Sequence, residues 1–232
     1  MSRKKIKTTK HDIVRVAGKY FLTTGYSVTS PKMISEELDI STGNITYYFP
    51  TKEHLLAEIV EMLCAYRDVA LERDIDDGNS SVMAICIEFA IMVAMCEEEE
   101  ILKDLYISSY SNLLTLEIIR RNDTERAKKV FKNYCPDWTD EQFVEAEILV
   151  SGIEYATLVT TGEPVSMEAR IAGALNNILT IFDVPEEIRK TKIDKTLSMD
   201  YRKAGRRVLK EFRKFVERAN EQAIEKLSLV NS

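Results

Sequence analysis

Glycine and proline are scarce in this chain, whose 232 residues include 8 glycines and 5 prolines. All-β sandwiches and barrels need frequent turns, so this scarcity disfavours them and favours long helices with few interruptions. The 4 cysteines form no CxxC pair, which argues against a disulfide framework and predicts reduced, mostly buried thiols. The longest apolar run, residues 82–96, contains Glu88 and is too short to cross a membrane, so we predict a buried core helix and no membrane partner.

Histidine is rarer still, with His11 and His54 as the two examples. Two isolated histidines provide no histidine-led catalytic triad and no recognisable zinc site, and the sequence contains no glycine-rich loop for binding phosphate. We therefore expect a protein that is not an enzyme and that has no metal site and no cofactor. Turnover or a bound metal would be the observation that favours the enzymatic alternative.

The net charge of −6 conceals an uneven distribution along the chain. Residues 1–54 contain nine lysines and arginines against five acidic residues, a net charge of +4, so the remainder carries −10. A basic segment attached to an acidic body is typical of a protein that binds a polyanion at one end. The alternative is an ordinary solvated surface that happens to be basic.

Apolar residues recur at helical spacing through nearly the whole sequence, and no stretch shows convincing alternation with a period of two. Ser30-Pro31 predicts the beginning of a helix, because serine is a good N-cap and proline is tolerated at the first helical position. Ser41 and Thr51 predict two more beginnings, and Phe49-Pro50 predicts an end between them. The predicted helices are 10–24, 31–38, 41–48, 52 to beyond 67, 80–96, 99–121, 124–134, 140–161, 166–183, 186–196 and 199–228.

A dense motif surrounds the second and third predicted helices. Its members are Phe21, Gly25-Tyr26, Thr29, Ile34-Ser35-Glu36, Ile40-Ser41, Gly43, Ile45, Tyr48-Phe49-Pro50 and Thr51-Lys52-Glu53-x-Leu55. In residue type and spacing this motif closely resembles the DNA-binding signature of the TetR family of bacterial transcriptional regulators. Two positions depart from the family pattern: Asp39 stands where a turn usually has glycine, and Thr46 stands where tyrosine is frequent. Aspartate enters the left-handed region at modest cost, so we expect the turn to survive.

The resemblance implies an all-α fold in which a three-helix helix-turn-helix head is joined by a long fourth helix to a larger helical domain for ligand binding and dimerisation, with an extra C-terminal helix in this chain. It places the DNA-binding domain at residues 1–54 and the sensing and dimerisation domain at residues 55–232. The implied function is that of a cytoplasmic bacterial homodimer that represses from a near-palindromic double-stranded operator until a small-molecule inducer releases it. The alternative is a degenerate member of the family that acts as a protein-interaction module.

The third predicted helix is expected to read the DNA. Thr42, Asn44 and Thr46 are expected to face the bases, because asparagine can pair with adenine and a threonine methyl can pack on a thymine methyl. Gly43 would allow a close approach to the major groove, and the resemblance implies a phosphate contact for Lys52. The full predicted set is Thr29, Ser30, Lys32, Ser41, Thr42, Gly43, Asn44, Thr46, Tyr47, Tyr48 and Lys52. A basic arm is expected to add salt-dependent affinity: Arg3, Lys4, Lys5, Lys7 and Lys10.

Residues 140–161 and 166–183 resemble the two helices through which members of the family dimerise. Each carries a wide apolar stripe, which indicates either interior core or an interface, and the resemblance favours the interface. The predicted interface residues are Ile148, Leu149, Gly152, Ile153, Ala156, Ile171, Leu175 and Ile178. Twofold symmetry would then place two recognition helices in successive major grooves, roughly 34–36 Å apart.

Flexible apolar side chains on the central helices suggest a ligand pocket, although a methionine or aromatic stripe is more often plain core. The candidates are Met83, Cys86, Phe89, Met92, Tyr106, Tyr110 and Tyr155. Apart from Glu88 and Glu154, the apolar faces show no charged cluster, so we expect a mainly apolar inducer. The basic, amphipathic helix 199–228 is predicted to pack over the body, with a polyanion or a protein partner as the alternative.

Overall fold

The computed structural model describes residues 10–76, 81–162 and 164–218, with side chains described everywhere in these ranges except 69–76. The described residues form eleven helices and no strand, which confirms the all-α prediction. The helices are α1 Lys10–Thr23, α2 Pro31–Glu37, α3 Thr42–Tyr48, α4 Lys52–Asp76, α5 Ser81–Glu98, α6 Glu100–Ser111, α7 Leu113–Phe131, α8 Asp140–Val159, α9 Met167–Ile181, α10 Glu186–Leu197 and α11 Tyr201–Arg218. The predicted arm residues 3–7 and the end of the last predicted helix, 219–228, lie outside the described residues.

The helices α1, α2 and α3 form a small bundle with an apolar core, and α4 begins against it. The side chains enclosed in this core come from all four helices: Ile13, Ala17, Phe21, Ile34, Ile45, Leu55 and Leu56. Burial of a large apolar side chain stabilises a fold by about 1.5–3 kcal/mol. The position of α3 in the head is therefore set by packing, which leaves its polar face unconstrained by the fold.

The turns of the head follow local rules that the sequence predicts. Ser30 caps α2, because its Oγ accepts a hydrogen bond of 3.3 Å from the backbone N–H of Met33. Asp39 lies between α2 and α3 with a φ of 52°, so an aspartate takes the left-handed conformation that glycine usually supplies. The prediction that this turn survives without glycine is confirmed.

One predicted helix and one predicted boundary in the body are wrong. The helix predicted over 99–121 breaks at Asn112, whose Oδ1 accepts hydrogen bonds of 3.0 Å and 3.4 Å from two backbone N–H groups in the first turn of α7. The boundary predicted before residue 124 does not exist, because α7 continues through it. At that point Asn122 donates to the carbonyl of Ile118 at 2.9 Å and so supports the helix from within.

α5 is the central helix of the body, where it packs against α4, α6, α7, α8, α9, α10 and α11. Most side chains between Val82 and Cys96 are buried, which confirms the prediction of a core helix in this stretch. In the described ranges, no helix is long and apolar enough to cross a membrane. The free cysteines Cys64, Cys86, Cys96 and Cys135 are buried, as predicted.

The C-terminal helix α11 packs across α5 of the body and α1 of the head. At Gly18 of α1, an added Cβ would lie 2.5 Å from Val216 Cγ1, so glycine is needed for this close approach. The Arg213 guanidinium donates a hydrogen bond of 2.8 Å to the carbonyl of Leu22. The prediction that this helix packs over the body is confirmed for its described part, and the helix also joins the body to the head.

Candidate nucleic-acid interface and buried cavities

The helix α3 presents an apolar face to the head and a polar face to solvent. Ile45 and the following Phe49 are buried and anchor the helix. On the opposite side, Tyr47 is 81% exposed. The other predicted contacts of this helix are exposed beside it: Ser41, Thr42, Gly43, Asn44, Thr46 and Tyr48. The structure therefore brings these predicted contacts together on one accessible surface.

Interactions within α3 restrict the orientation of its polar side chains. Ser41 precedes α3 as predicted, but its Oγ donates to Asn44 Oδ1 at 3.2 Å and does not cap the backbone. Thr46 Oγ1 donates to a backbone carbonyl in the first turn at 3.2 Å. The Tyr47 and Tyr48 rings meet edge to face, with centroids 5.1 Å apart. Side chains that are ordered before binding lose less entropy when a ligand arrives.

Gly43 is not required by the fold. A Cβ added at this position would meet Ser41 Oγ at 3.6 Å, which is an ordinary van der Waals contact. A glycine inside a helix is unfavourable compared with alanine, because it has more conformational freedom to lose. A need for glycine at this position would therefore come from a molecule that approaches α3 closely.

The three predicted DNA-contacting residues near the start of α2 have different surroundings in the structure. Thr29 is 1% exposed and its Oγ1 donates to the Gly25 carbonyl at 2.6 Å, so its assignment as a DNA-contacting side chain is wrong. Ser30 uses its Oγ to cap α2. Lys32 is exposed, and its Nζ lies 3.8 Å from Glu36, in a surface ion pair too weak to fix its position.

Lys52, the first residue of α4, has an internal role in this structure. Its Nζ donates to the carbonyls of Tyr26 and Thr29, at 2.8 Å and 3.0 Å, and lies 4.1 Å from the centroid of the Tyr26 ring. Partial burial lowers the pKa of the Lys52 ammonium group. These contacts tie α4 to the loop before α2. A phosphate contact by the same group stays a prediction, and it would require Lys52 to exchange at least one of these bonds.

The inner face of α8 carries both polar and apolar residues, whereas its outer face is apolar. Ile148 and Leu149 on the outer face are 48% and 56% exposed. Around them lie further small or apolar exposed residues: Val144, Gly152, Tyr155 and Ala156. Ile153 is partly buried. Four predicted interface residues therefore belong to one exposed apolar stripe, and such a stripe is typical of an interaction surface.

The predicted interface residues of α9 lie elsewhere. Ile171, Leu175 and Ile178 are at most 4% exposed because they pack inside their own chain, so their assignment to a dimer interface is wrong. The outward face of α9 is small and polar: Ala169, Gly173, Asn176, Asn177 and Thr180. An apolar helical stripe can pack on its own chain or on a partner, and the sequence pattern does not distinguish the two.

Two cavities lie side by side in the body, and Arg67, Glu88 and Met92 line both. The first, with a volume of about 90 Å³, is mainly apolar and lies among α4, α5, α6 and α11; Tyr106 contributes to it. The second, of about 40 Å³, lies among α5, α7, α8 and α9, and Phe89 contributes to it. Three of the predicted pocket residues therefore line cavities.

The other predicted pocket residues line neither of these two cavities, and their assignment to a ligand pocket stays a prediction. Met83 and Cys86 are buried in the packed core. Tyr110 is also buried, and its hydroxyl group donates a hydrogen bond of 2.7 Å to Glu154 Oε2. Tyr155 lies on the outer face of α8, where it is partly exposed.

The second cavity contains a network of charges that the sequence did not predict. Arg67 of α4 contacts Glu88 of α5 and lies 3.2 Å from Asp123 of α7. Arg126 of α7 also contacts Glu88 and lies 3.4 Å from Asp123. Burial disfavours ionisation of Glu88, but the two arginines outweigh it and lower the pKa of this carboxylate to about 2. The expectation that the interior lacks a charged cluster is therefore wrong.

Two further glutamates of α8 line the same cavity without an arginine of their own. Glu147 and Glu154 are buried on the inner face of the helix. Burial, together with the nearby Asp123, raises the pKa of Glu154 to about 7 and raises the pKa of Glu147 well above its usual range. A signal for both was present in the sequence, since they share a helical face with the core residues Phe143 and Val150.

The raised pKa of Glu154 predicts that the unliganded protein is less stable at high pH. A carboxyl group whose pKa is higher in the folded state stabilises that state below its unfolded pKa, and this contribution is lost as the pH rises through the folded value of about 7. We therefore expect the free energy of unfolding in urea to fall as the pH rises from the ordinary carboxyl pKa of 4.5 to the folded value of about 7. Glu154→Gln should reduce this fall, whereas Glu145→Gln, at an exposed site on the same helix, should preserve it. An unchanged pH dependence in Glu154→Gln would contradict the assignment.

Comparison with known proteins agrees with the architecture of the head. Residues 13–59, which include most of α1, all of α2 and α3 and the start of α4, match the family model described as bacterial regulatory proteins, tetR family. No curated protein matches the chain at a significant level. Among solved structures, the crystal structure of a gamma-butyrolactone receptor (ArpA like protein) is similar over 87% of this chain and 96% of that chain, with 19% identity and a TM-score of 0.40. The N-terminal segment of the chain, residues 13–59, is thus similar to the tetR family of bacterial regulatory proteins.

Proposed function

We propose that this regulator binds a near-palindromic double-stranded operator as a homodimer, represses from it, and leaves it when a small molecule binds. The observation that carries the proposal is the exposed polar face of α3, which Ile45 and Phe49 anchor from behind. In helix-turn-helix proteins such a face enters the major groove. A cytoplasmic location, a DNA-binding domain at residues 1–54 and a sensing and dimerisation domain at residues 55–232 belong to the same proposal.

The exposed face of α3 divides into base-reading and phosphate-binding groups. We assign base readout to Thr42, Asn44 and Thr46, because short polar side chains on a helix in the major groove reach the base edges. Tyr47 supplies a hydroxyl group on a long exposed arm, which suits a phosphate oxygen. Since Thr46 replaces a tyrosine that is frequent in the family, we expect base preferences that differ from those of members with the tyrosine.

Gly43→Ala tests this assignment, because it separates DNA binding from folding. The added methyl group meets no close neighbour in the chain, so we expect the melting temperature to stay the same or to rise slightly. Against DNA the same methyl group would hold α3 away from the groove, and we expect operator affinity to fall by about tenfold or more, on the scale of one lost base contact. Titration of a labelled operator, alongside thermal denaturation, measures both quantities. Unchanged affinity would contradict the placement of α3 in the groove.

The homodimer is proposed to form through the outer face of α8. Ile148 and Leu149 are too exposed to contribute to the core of one chain, and Gly152 and Ala156 would let a partner helix approach closely. The small outward residues of α9 would pack beside them in a four-helix interface. A twofold axis through this interface would present two copies of α3 to successive major grooves.

The release mechanism is proposed to act through α4. This helix begins at Lys52, which is hydrogen-bonded to the head, and carries Arg67 in the wall shared by the two cavities. A ligand that moves Arg67 would therefore tilt a helix that is tied to the DNA-binding head. Such a tilt changes the separation of the two heads, and a ligand that prefers the tilted state lowers operator affinity.

A further inference from the structure

The cavity among α5, α7, α8 and α9 has an excess of acidic side chains. The charged residues in its lining are Arg67, Arg126, Glu88, Asp123, Glu147 and Glu154. The two arginines are committed to Glu88 and Asp123. Two carboxyl groups therefore remain without a cation in the interior, which is an expensive arrangement if they are ionised.

Glu147 is the most exceptional of these groups. Glu147 is 3% exposed, and its side chain lines the cavity. Its carboxyl group takes part in no hydrogen bond with the residues that the structure describes, whereas Glu154 accepts one from Tyr110. A buried polar group without a partner costs free energy, so it needs an explanation in a ligand, an ion or a role in binding.

The remaining wall of the cavity is apolar and aromatic. Phe131 and Phe182 stack with ring centroids 4.1 Å apart, and Phe89, Val150 and Ile178 complete this side. A molecule that fits this lining would have a positively charged group at one end and an apolar body at the other.

We propose that this cavity, with a volume of about 40 Å³, binds a short alkylamine, with its ammonium group at Glu147 and its alkyl end against Phe131 and Phe182. Insofar as this amine is the inducer, the proposal rests on the proposed function and names the chemical class of its ligand. An ammonium group supplies N–H donors to a carboxylate, and such charge-assisted hydrogen bonds are among the strongest in proteins.

A single metal ion fits the same residues less well. Glu147 and Glu154 are seven residues apart on α8, which corresponds to about 10 Å along a helix. Calcium and magnesium take several oxygen ligands about 2–2.6 Å from the ion, and the described residues contain no group of three or more His, Cys, Asp or Glu side chains placed to hold one. An organic cation needs one carboxylate as its hydrogen-bond partner and gains from the field of the other.

Binding of an amine would change the protonation of the cavity. Burial, Asp123 and Glu154 all favour the neutral form of Glu147 in the empty protein, and they raise its pKa. The groups that line the cavity with it are Arg67 from α4, Glu88 from α5, and Asp123 and Arg126 from α7, while α9 contributes the apolar Leu175 and Ile178. Tyr110 from α6 donates its hydrogen bond to Glu154. An arriving ammonium group favours the ionised carboxylate, so a proton leaves as the amine binds.

Titration calorimetry of the full-length protein with methylamine and with the neutral methanol tests the proposal, because both compounds are small enough for the cavity. We expect the amine to bind at least about tenfold more tightly than the alcohol, since their shapes match and the amine alone forms a charge-assisted bond. We also expect the amine to bind more tightly as the pH rises from about 6 to about 8, with proton release detected as a buffer-dependent heat. Equal binding of the two compounds, or binding of neither, would overturn the proposal.

Substitutions in α8 test whether Glu147 is the residue responsible for the preference for the amine. Glu147→Gln should bring the ratio of the two affinities to about one, because the amide carries no charge to pair with the ammonium group. Glu145→Gln, which changes an exposed glutamate two positions away, should leave the ratio unchanged. Thermal denaturation of both variants checks that each is folded. Retention of the amine preference in folded Glu147→Gln would contradict the assignment.

Operator binding measured in parallel separates this proposal from the proposed function. If the protein binds its operator but no amine, the regulator assignment stands and the ligand class is wrong. If methylamine binds through Glu147 but does not change operator affinity, the cavity assignment stands and the release mechanism is wrong. The two readouts use different parts of the chain, α8 for the amine and α3 for the operator.

Discussion

If the protein forms the proposed homodimer, replacing Leu149 with glutamate should convert it into a monomer and weaken operator binding by roughly 100-fold or more. Leu149 is 56% exposed on the outer face of α8, so a carboxylate at this position is solvated in the monomer and costs the fold little. In the dimer the same carboxylate would be buried in an apolar interface and, by twofold symmetry, would face its copy. The loss of operator affinity follows because a monomer no longer binds two half-sites through one tethered partner.

Sedimentation velocity gives the oligomeric state, and titration of a labelled operator gives the affinity. Met199→Glu is a matched control, since it places the same carboxylate at another exposed apolar residue that lies outside α8 and α9. The control should remain dimeric and should bind the operator as the parent does. A Leu149→Glu protein that stays dimeric would show that the subunits meet through a different surface.

Replacing Arg126 with methionine should destabilise the body by about 3–5 kcal/mol, because it removes one of the two arginines that offset the buried carboxylates. Arg126 is 5% exposed and contacts Glu88 while lying close to Asp123. Methionine has a similar length, so the main effect is the loss of charge and not of volume. The free energy of unfolding in urea at neutral pH measures the change.

Arg121→Met is the control for this substitution on the same helix. Arg121 is exposed and pairs with Glu61 at the surface, so its loss should cost less than about 1 kcal/mol. Adding Glu88→Gln to Arg126→Met should recover part of the stability, because it removes one of the carboxylates that are then in excess over the remaining Arg67. A loss in Arg126→Met as small as that in Arg121→Met would mean that the network contributes little to folding.

The head was predictable from the sequence because its signals are local. Ser30-Pro31 begins α2 through a side-chain cap and a proline in the first turn, and both effects depend on neighbours a few residues away. The turn at Asp39 depends on the conformational range of one residue. The role of Thr29 was not predictable, because its burial follows from the way the loop folds against α4 and not from the motif.

The body was predicted less well because its features depend on contacts between distant helices. Ile148 of α8 and Ile171 of α9 belong to similar apolar stripes, yet one is exposed and the other is buried by its own chain. The charge network joins Arg67, Glu88 and Asp123 from three helices, and pairs of this kind have no fixed spacing in sequence. The sequence did contain one signal of buried charge, which is a charged residue at an inward-facing helical position, as at Glu147.

The most direct test of the account is selection of bound sequences from a random double-stranded DNA library, using full-length protein that has been unfolded and refolded to remove any co-purified ligand. We expect enrichment of a near-palindrome with half-sites centred roughly one helical turn, or a multiple of it, apart, as two copies of α3 require. The same fragments should bind more weakly as salt increases, because lysine and arginine contacts to phosphate release counterions. Failure to enrich any sequence, or enrichment that Gly43→Ala shares in full, would contradict the claim that α3 reads DNA.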